Sequence, residues 1–219
     1  MIIDFHTHIF PKSVRLGRED FFHSESAFKL LYESPKSKLA GADDIVRTMD
    51  EQNVDFSVVF GFPWRKAETF KLHNDYIMEA VSRYPDRLIG FACFDLASPA
   101  AEKEAERCLD SGLSGVGELA FYESGIDENC LKMLAPIMDL CREKDLPVLV
   151  HTNEPIGHMY PGKAPITTEQ IYGMAKRFPE NKIVLAHWGG GVFFYCLLKK
   201  EVKEVLKNIY VDTAAYPYL

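Results

Sequence analysis

The sequence predicts an α/β fold built on a parallel sheet, and three observations lead to this prediction. Short β-branched runs recur along the 219 residues and alternate with amphipathic segments. The step from one run to the next is roughly 25–35 residues, which is the size of a βα unit. The runs are apolar nearly throughout, as in strands that are covered on both faces. Strict alternation of strands and helices implies that the strands are parallel.

Seven segments have the length and composition of β-strands. In chain order they are residues 2–8, 54–60, 87–94, 114–121, 146–152, 181–187 and 208–214. The first, IIDFHTH, reads as a buried strand, yet alternation places Asp4, His6 and His8 together on one polar face. A central strand with such a face points at a functional site.

The amphipathic segments between the strands predict helices at residues 68–84, 98–111, 128–144, 167–178 and 192–207. Pro136 would cost about 3 kcal/mol inside the third of these helices. We therefore expect that helix to restart there, with Pro136 in its first turn. Residues 11–41 are polar and aromatic, and we expect an inserted long loop with a short helix.

Composition limits the class of protein. With 47% hydrophobic residues the chain can bury a large core without disulfides, and we expect a single domain over residues 1–219. A net charge of -7 argues against nucleic acid or an anionic membrane as partner. Five cysteines without a CxxC pair, and the lack of a leader or an apolar run of ~20 residues, predict a reduced cytoplasmic protein. Association into a homo-oligomer is left open.

Four of the seven histidines fall at the ends of predicted strands. His6 and His8 end the first strand, His151 the fifth and His187 the sixth, while Glu118 lies in the fourth. In (β/α)₈ barrels the chemistry lies at the carboxyl ends of the strands. Imidazole is a ligand for zinc and similar ions. We therefore predict a TIM-barrel type of fold with these five residues as ligands of one or two divalent ions, with zinc preferred.

Several loop residues are candidates for binding an anionic small-molecule substrate. They are Arg65 and Lys66 after the second strand, and His158 and Lys163 after the fifth. Solvated surface charge explains them equally well.

Three further residues have predicted positions or roles. Asp4 is expected to accept the second ring N–H of a histidine ligand and so to orient it. His23 and His73 are expected in loops, outside the site.

Several motifs resemble, in chain order, the metal-binding strands of the amidohydrolase superfamily: DFHTH, GELAF, VLVHT and VLAHWGGG. HTNEPIGHMYPGK and NDYI…RYPDRLIGFACFD resemble its amidohydrolase-related branch of hydrolases and decarboxylases. The resemblance covers nearly the whole chain. It implies that His6 and His8 bind a first metal and that His151 completes that site or binds a second. It also implies that His187 binds the second metal or polarises the substrate, with Glu118 at the position of a bridging ligand.

One departure from the family pattern concerns the aspartate that follows the eighth strand. Only seven strands are predicted, and Asp212 falls inside the seventh, so the role of that aspartate is not transferred to it. A closed barrel needs an eighth strand and usually ~250 residues. We therefore expect the barrel to be C-terminally incomplete and the chain as written not to be a competent enzyme.

The expected activity is hydrolysis of an ester, amide, lactone or similar bond by a metal-activated water, with Glu118 and His187 as catalytic residues. Glu118 favours hydrolysis because a carboxylate in the fourth strand suits a bridged pair of metals. The first alternative is a non-oxidative decarboxylase of an aromatic or unsaturated acid. The second is a metal-binding protein without activity. The absence of GxSxG argues against a serine hydrolase.

Overall fold

A computed structural model describes residues 1–215 and confirms the α/β class. Each strand lies inside the segment that the sequence predicts for it. Within the described residues the strands are β1 (Ile3–His8), β2 (Phe56–Phe60), β3 (Leu88–Gly90), β4 (Val116–Leu119), β5 (Val148–Val150), β6 (Ile183–Leu185) and β7 (Ile209–Val211).

The strands form two sheets, in the orders β1-β2-β3 and β4-β5-β6-β7. The β1–β2, β2–β3, β5–β6 and β6–β7 pairs are parallel, as the alternation predicts. The chain divides within β4 into two compact units, Met1–Gly117 and Glu118–Leu219. The single domain and the closed barrel stay predictions.

The helices are α1 (Lys12–Leu16), α2 (Ser26–Tyr32), α3 (Ala42–Gln52), α4 (Ala67–Arg83), α5 (Ala101–Asp110), α6 (Glu128–Glu143), α7 (Thr168–Arg177) and α8 (Lys200–Val205). The predicted restart at Pro136 is wrong, because α6 runs through this residue without a break. Pro136 lies on the exposed side of α6. Because proline has no N–H, one backbone carbonyl in the preceding turn lacks its helical partner, and on this side water can donate a hydrogen bond to it instead. Leu134 and Ile137 keep the opposite side buried. None of the described helices combines the length and the apolar character that crossing a bilayer requires.

Two other predicted segments differ from the structure. Residues 192–207 do not form one helix: the end of a 3₁₀ segment, His187–Leu197, precedes α8, and Lys199 between them has an extended backbone. Residues 11–41 contain α1, a 3₁₀ helix and α2 where one short helix was expected. Aromatic packing explains the extra order, since Phe28 is fully buried with its ring 4.5 Å from that of Trp64.

The core of each unit follows the apolar strands. Val58, Val59 and Phe60 of β2 are fully buried in the first unit, and β5 and β6 are buried throughout in the second. The expectation of a wholly buried first strand is wrong, since Ile3 is 42% exposed. β1 lies at the end of its sheet and has one neighbouring strand there, which leaves its first residues open to solvent. All five cysteines are free, and four are buried, as a reduced protein requires.

Candidate metal centre

His6 and His8 lie at the end of β1, two residues apart, and their side chains share one face of the strand. Their ring centroids are 5.3 Å apart, and both rings contact Phe60 of β2 edge-on. The structure therefore places the two histidines side by side, as alternation along the strand predicts.

A backbone contact determines the protonation of His8. Its Nδ1 lies 2.7 Å from the carbonyl oxygen of Gly61. Because a carbonyl only accepts hydrogen bonds, Nδ1 carries the proton and Nε2 keeps the lone pair that a metal needs. The ring is thus oriented by the loop that follows β2.

Asp4 has a different role from the predicted one. Its Oδ1 accepts the backbone N–H of His6 at 3.2 Å, two residues along the chain. The short side chain of aspartate can accept a hydrogen bond from the backbone N–H two residues further along the chain, as in an Asx turn. Asp4 therefore bonds the backbone of β1 where a bond to a histidine ring was expected.

In the second unit, Glu118 and His151 form a buried pair. Glu118 points from β4 and His151 directly follows β5, and the two residues are 3% and 7% exposed. Nδ1 of His151 lies 2.8 Å from Oε1 of Glu118, and its Nε2 lies 3.1 Å from the carbonyl oxygen of Gly162. Both contacts of the ring are to acceptor groups, so the pair holds a shared proton in this arrangement.

His187 completes this cluster. It lies two residues after β6, and its ring centroid is 5.1 Å from that of His151. Its Nδ1 donates to the carbonyl oxygen of Ala214 at 3.1 Å, which leaves the lone pair on Nε2. Nε2 in turn lies 3.5 Å from Oε1 of Glu118. The structure therefore brings together Glu118, His151 and His187, and their role as metal ligands stays a prediction.

The donor set of this cluster fits a divalent cation. One donor atom from each of Glu118, His151 and His187 lies within 4.8 Å of the other two. Nε2 of His187 lies near a carboxylate oxygen of Glu118, and the buried charge of that carboxylate requires a compensating partner. A cation between these atoms would supply it, and imidazole with carboxylate is a set that zinc and manganese accept.

A strained turn carries His187. His187, Trp188 and the three glycines that follow all have φ between 56° and 83°. The left-handed region costs about 1–2 kcal/mol for a residue with a side chain. At Gly190 a Cβ would lie 2.5 Å from the carbonyl oxygen of Asn153, so only glycine fits. The strained turn lies at the candidate site, and the close packing that maintains it keeps His187 in one orientation.

Asp212 is a site residue that the sequence analysis left unassigned. It is the first residue after β7, although it was expected within the strand, and it is 6% exposed. Its Oδ1 accepts the backbone N–H groups of His187 at 2.8 Å and Ala214 at 3.1 Å. The feature of the sequence that could have identified Asp212 is its position near the end of a predicted strand.

The predicted substrate residues lie in three different settings. Arg65 is half-exposed and pairs with Asp95 at 3.7 Å. Lys163 donates to the carbonyl oxygens of Ile156 and His158, so its charge is engaged within its own loop. His158 is exposed in that loop. Contact with substrate stays a prediction for all three.

Lys66 precedes α4, where its backbone N–H donates to Glu25, while His23 is exposed. The prediction that His73 lies in a loop is wrong. It lies in α4 and is 1% exposed, because Ile9, Phe10 and Trp64 surround its ring.

Comparison with known proteins identifies the family. The amidohydrolase family model matches residues 3–215, so the chain belongs to the amidohydrolase family. The curated gamma-resorcylate decarboxylase of Polaromonas sp. strain JS666 is 24% identical over 184 residues. That match covers 68% of this chain and 56% of the relative, so the chain spans just over half the length of that protein.

Solved structures of the same type have a similar fold. The 5-carboxyvanillate decarboxylase of Sphingomonas paucimobilis matches with a TM-score of 0.69 and 16% identity, over 97% of this chain and 80% of that one. The enzyme of the same name from Novosphingobium aromaticivorans, complexed with manganese and 4-hydroxy-3-methoxy-5-nitrobenzoic acid, has a TM-score of 0.68 and 16% identity. This second match covers 90% of this chain and 68% of that one. At these identities the likeness establishes the fold.

Proposed function

We propose that this protein is a metal-dependent, non-oxidative decarboxylase of a hydroxylated aromatic acid. The observation that carries the proposal is the buried pair of Glu118 and His151, two donors that suit a divalent ion, with Nε2 of His187 3.5 Å from the same carboxylate oxygen. The named activities of the relatives then favour loss of CO₂ over hydrolysis.

Glu118 and His151 are the proposed metal ligands in the second unit. Nδ1 of His151 and Oε1 of Glu118 lie 2.8 Å apart and share a proton. Binding of a metal ion to this pair would release that proton. His6 and His8 as further ligands remain a prediction from the strand-end pattern of the sequence. A bound divalent cation would supply positive charge to the carboxylate and hydroxyl oxygens of the substrate. Manganese and zinc both suit this donor set.

His187 is the proposed proton carrier. Decarboxylation adds one proton to the ring carbon that bears the carboxylate, and the electrons of the broken C–C bond remain on the ring as CO₂ leaves. With Nδ1 bonded to the carbonyl of Ala214, proton exchange is confined to Nε2. Such positioned proton transfer typically contributes ~10²–10⁴-fold in rate.

The preference for hydrolysis depended on Glu118 as a bridge between two metals. Its Oε1 lies near nitrogens of both His151 and His187, a geometry that serves one ion as well as two. Glu118 therefore no longer argues for a bridged pair. Hydrolysis of an ester or lactone remains the alternative to be tested beside decarboxylation.

The test is a substrate panel with protein loaded with manganese or zinc. We expect 2,6-dihydroxybenzoate or 5-carboxyvanillate to release CO₂, and the product formed in D₂O to carry one deuterium in place of the carboxylate. His187→Asn should lower kcat by roughly 10²-fold or more. The exposed His23→Asn, which is expected to lie outside the site, is the matched control for loss of a histidine.

Turnover of esters or lactones, with no CO₂ from any aromatic acid, would refute decarboxylation in favour of hydrolysis. Wild-type rates in His187→Asn would refute the role of His187. Metal-loaded protein that turns over neither class would favour a metal-binding protein without activity.

A further inference from the structure

The end of β7 is joined to the turn that carries His187 by three hydrogen bonds. Oδ1 of Asp212 accepts the backbone N–H of His187 at 2.8 Å, and its carbonyl oxygen accepts that of Trp188 at 2.9 Å. The third bond runs from Nδ1 of His187 to the carbonyl oxygen of Ala214 at 3.1 Å. The backbone of Asp212 is itself held, since its N–H donates to Leu185 of β6.

A single carboxylate oxygen connects both ends of this arrangement. The same Oδ1 also accepts the N–H of Ala214 at 3.1 Å, so it holds the residue that bears the ring and the residue whose carbonyl receives the ring proton. Asp212 is buried, which limits the access of competing water to its carboxylate. Without this acceptor, the backbone N–H groups of His187 and Ala214 both lose the hydrogen bond that links them.

We infer that Asp212 is a positioning residue that keeps His187 in the Nδ1–H tautomer, with the Nε2 lone pair directed toward Glu118. The importance of this tautomer for turnover rests on the proposed function, but the tautomer itself does not. Asp212 acts through the backbone of its neighbours and through Ala214. It adds to the site a residue for which the sequence resemblance gave no role.

The test measures the ring tautomer of His187 in metal-free protein by ¹⁵N NMR with labelled histidine, using His187→Asn to assign its signals. Wild type should show the Nδ1–H form. Asp212→Ala should show mixed tautomers, and Asp212→Asn, which keeps a carbonyl acceptor at Oδ1, should restore the wild-type form. The matched control is Asp127→Ala, which removes a similar bond to the N–H of Cys130 at the start of α6.

A second experiment measures the turnover of the metal-loaded protein. Asp212→Ala should lower kcat by roughly 10-fold or more with little change in KM, because proton transfer by His187 is impaired while binding is kept. If wild type releases no CO₂, the proposed function fails while the tautomer measurement still decides the role of Asp212.

A folded Asp212→Ala protein that keeps the wild-type tautomer overturns the inference. The same tautomer change in Asp127→Ala also overturns it, because general destabilisation would then suffice. If Asp212→Ala does not fold, Asp212→Ser takes its place, since a short hydroxyl cannot reach both amides. An unchanged tautomer in that folded variant counts against the inference in the same way.

Discussion

Lowering the pH should destabilise this protein through one buried histidine. His73 lies in α4 with both ring nitrogens bonded: Nδ1 accepts from the indole N–H of Trp64 at 2.7 Å, and Nε2 faces the carbonyl of Ile9 at 2.6 Å. An indole nitrogen only donates, so the ring is neutral with its proton on Nε2. A second proton on Nδ1 would break the bond to Trp64.

The pKa of His73 is lowered from 6.5 to about 4, chiefly by burial; the bond to Ile9 opposes this shift and the nearby His8 adds a smaller lowering. The unfolded chain therefore binds more protons than the folded one between these two values. The stability that His73 contributes is complete above about pH 6.5 and is lost as the pH falls toward about 4. The difference between 6.5 and about 4 corresponds to about 3 kcal/mol at about 1.4 kcal/mol per pH unit.

The assay is urea unfolding of metal-free wild type and His73→Gln between about pH 4.5 and about pH 7.5. Glutamine bonds Trp64 and Ile9 without titrating. Comparing the two proteins cancels the other titrating groups. Wild type should be the more stable near neutral pH, and its advantage should shrink by about 2–3 kcal/mol across this range.

The exposed His23→Gln is the matched control, and its unfolding free energy should follow wild type at every pH. A stability difference between wild type and His73→Gln that stays constant with pH would contradict the lowered pKa of His73. It would mean that the buried ring takes up a proton without loss of the fold.

Two further changes give sharp expectations. Glu118→Gln should weaken manganese binding by roughly 10–100-fold, measured from the EPR signal of the free ion. The exposed Glu169→Gln is the control and should leave the affinity unchanged. Equal affinities in the two variants would show that Glu118 does not bind the metal. Gly190→Ala should destabilise the fold by about 2 kcal/mol more than Gly157→Ala in thermal or urea unfolding. Both glycines have positive φ, but an added Cβ meets the Asn153 carbonyl only at Gly190, so equal losses would contradict the close approach.

Local pattern was enough to locate the described strands and the helices α4 to α7, whereas α3 was not predicted. Each strand segment combines β-branched residues with bounding turns, and this preference acts within a few residues. Pro136 is the exception, because the local cost of proline was outweighed by the buried side of α6, which only packing reveals. The predicted helix 68–84 already contained His73, so its assignment to a loop went against the local pattern. Its burial against Ile9, Phe10 and Trp64 is what only the tertiary structure shows.

For the candidate site, the positions of the predicted strands were enough to select His151 and His187 at strand ends and Glu118 within the fourth strand. The contacts that these side chains make could be known only from the folded chain. The protonation of His187 depends on the carbonyl of Ala214 and on Asp212, which lie 25 or more residues away along the chain. Such partners are brought together by the pairing of β6 with β7, and the tautomer of a histidine is set by the partner that each nitrogen meets in space.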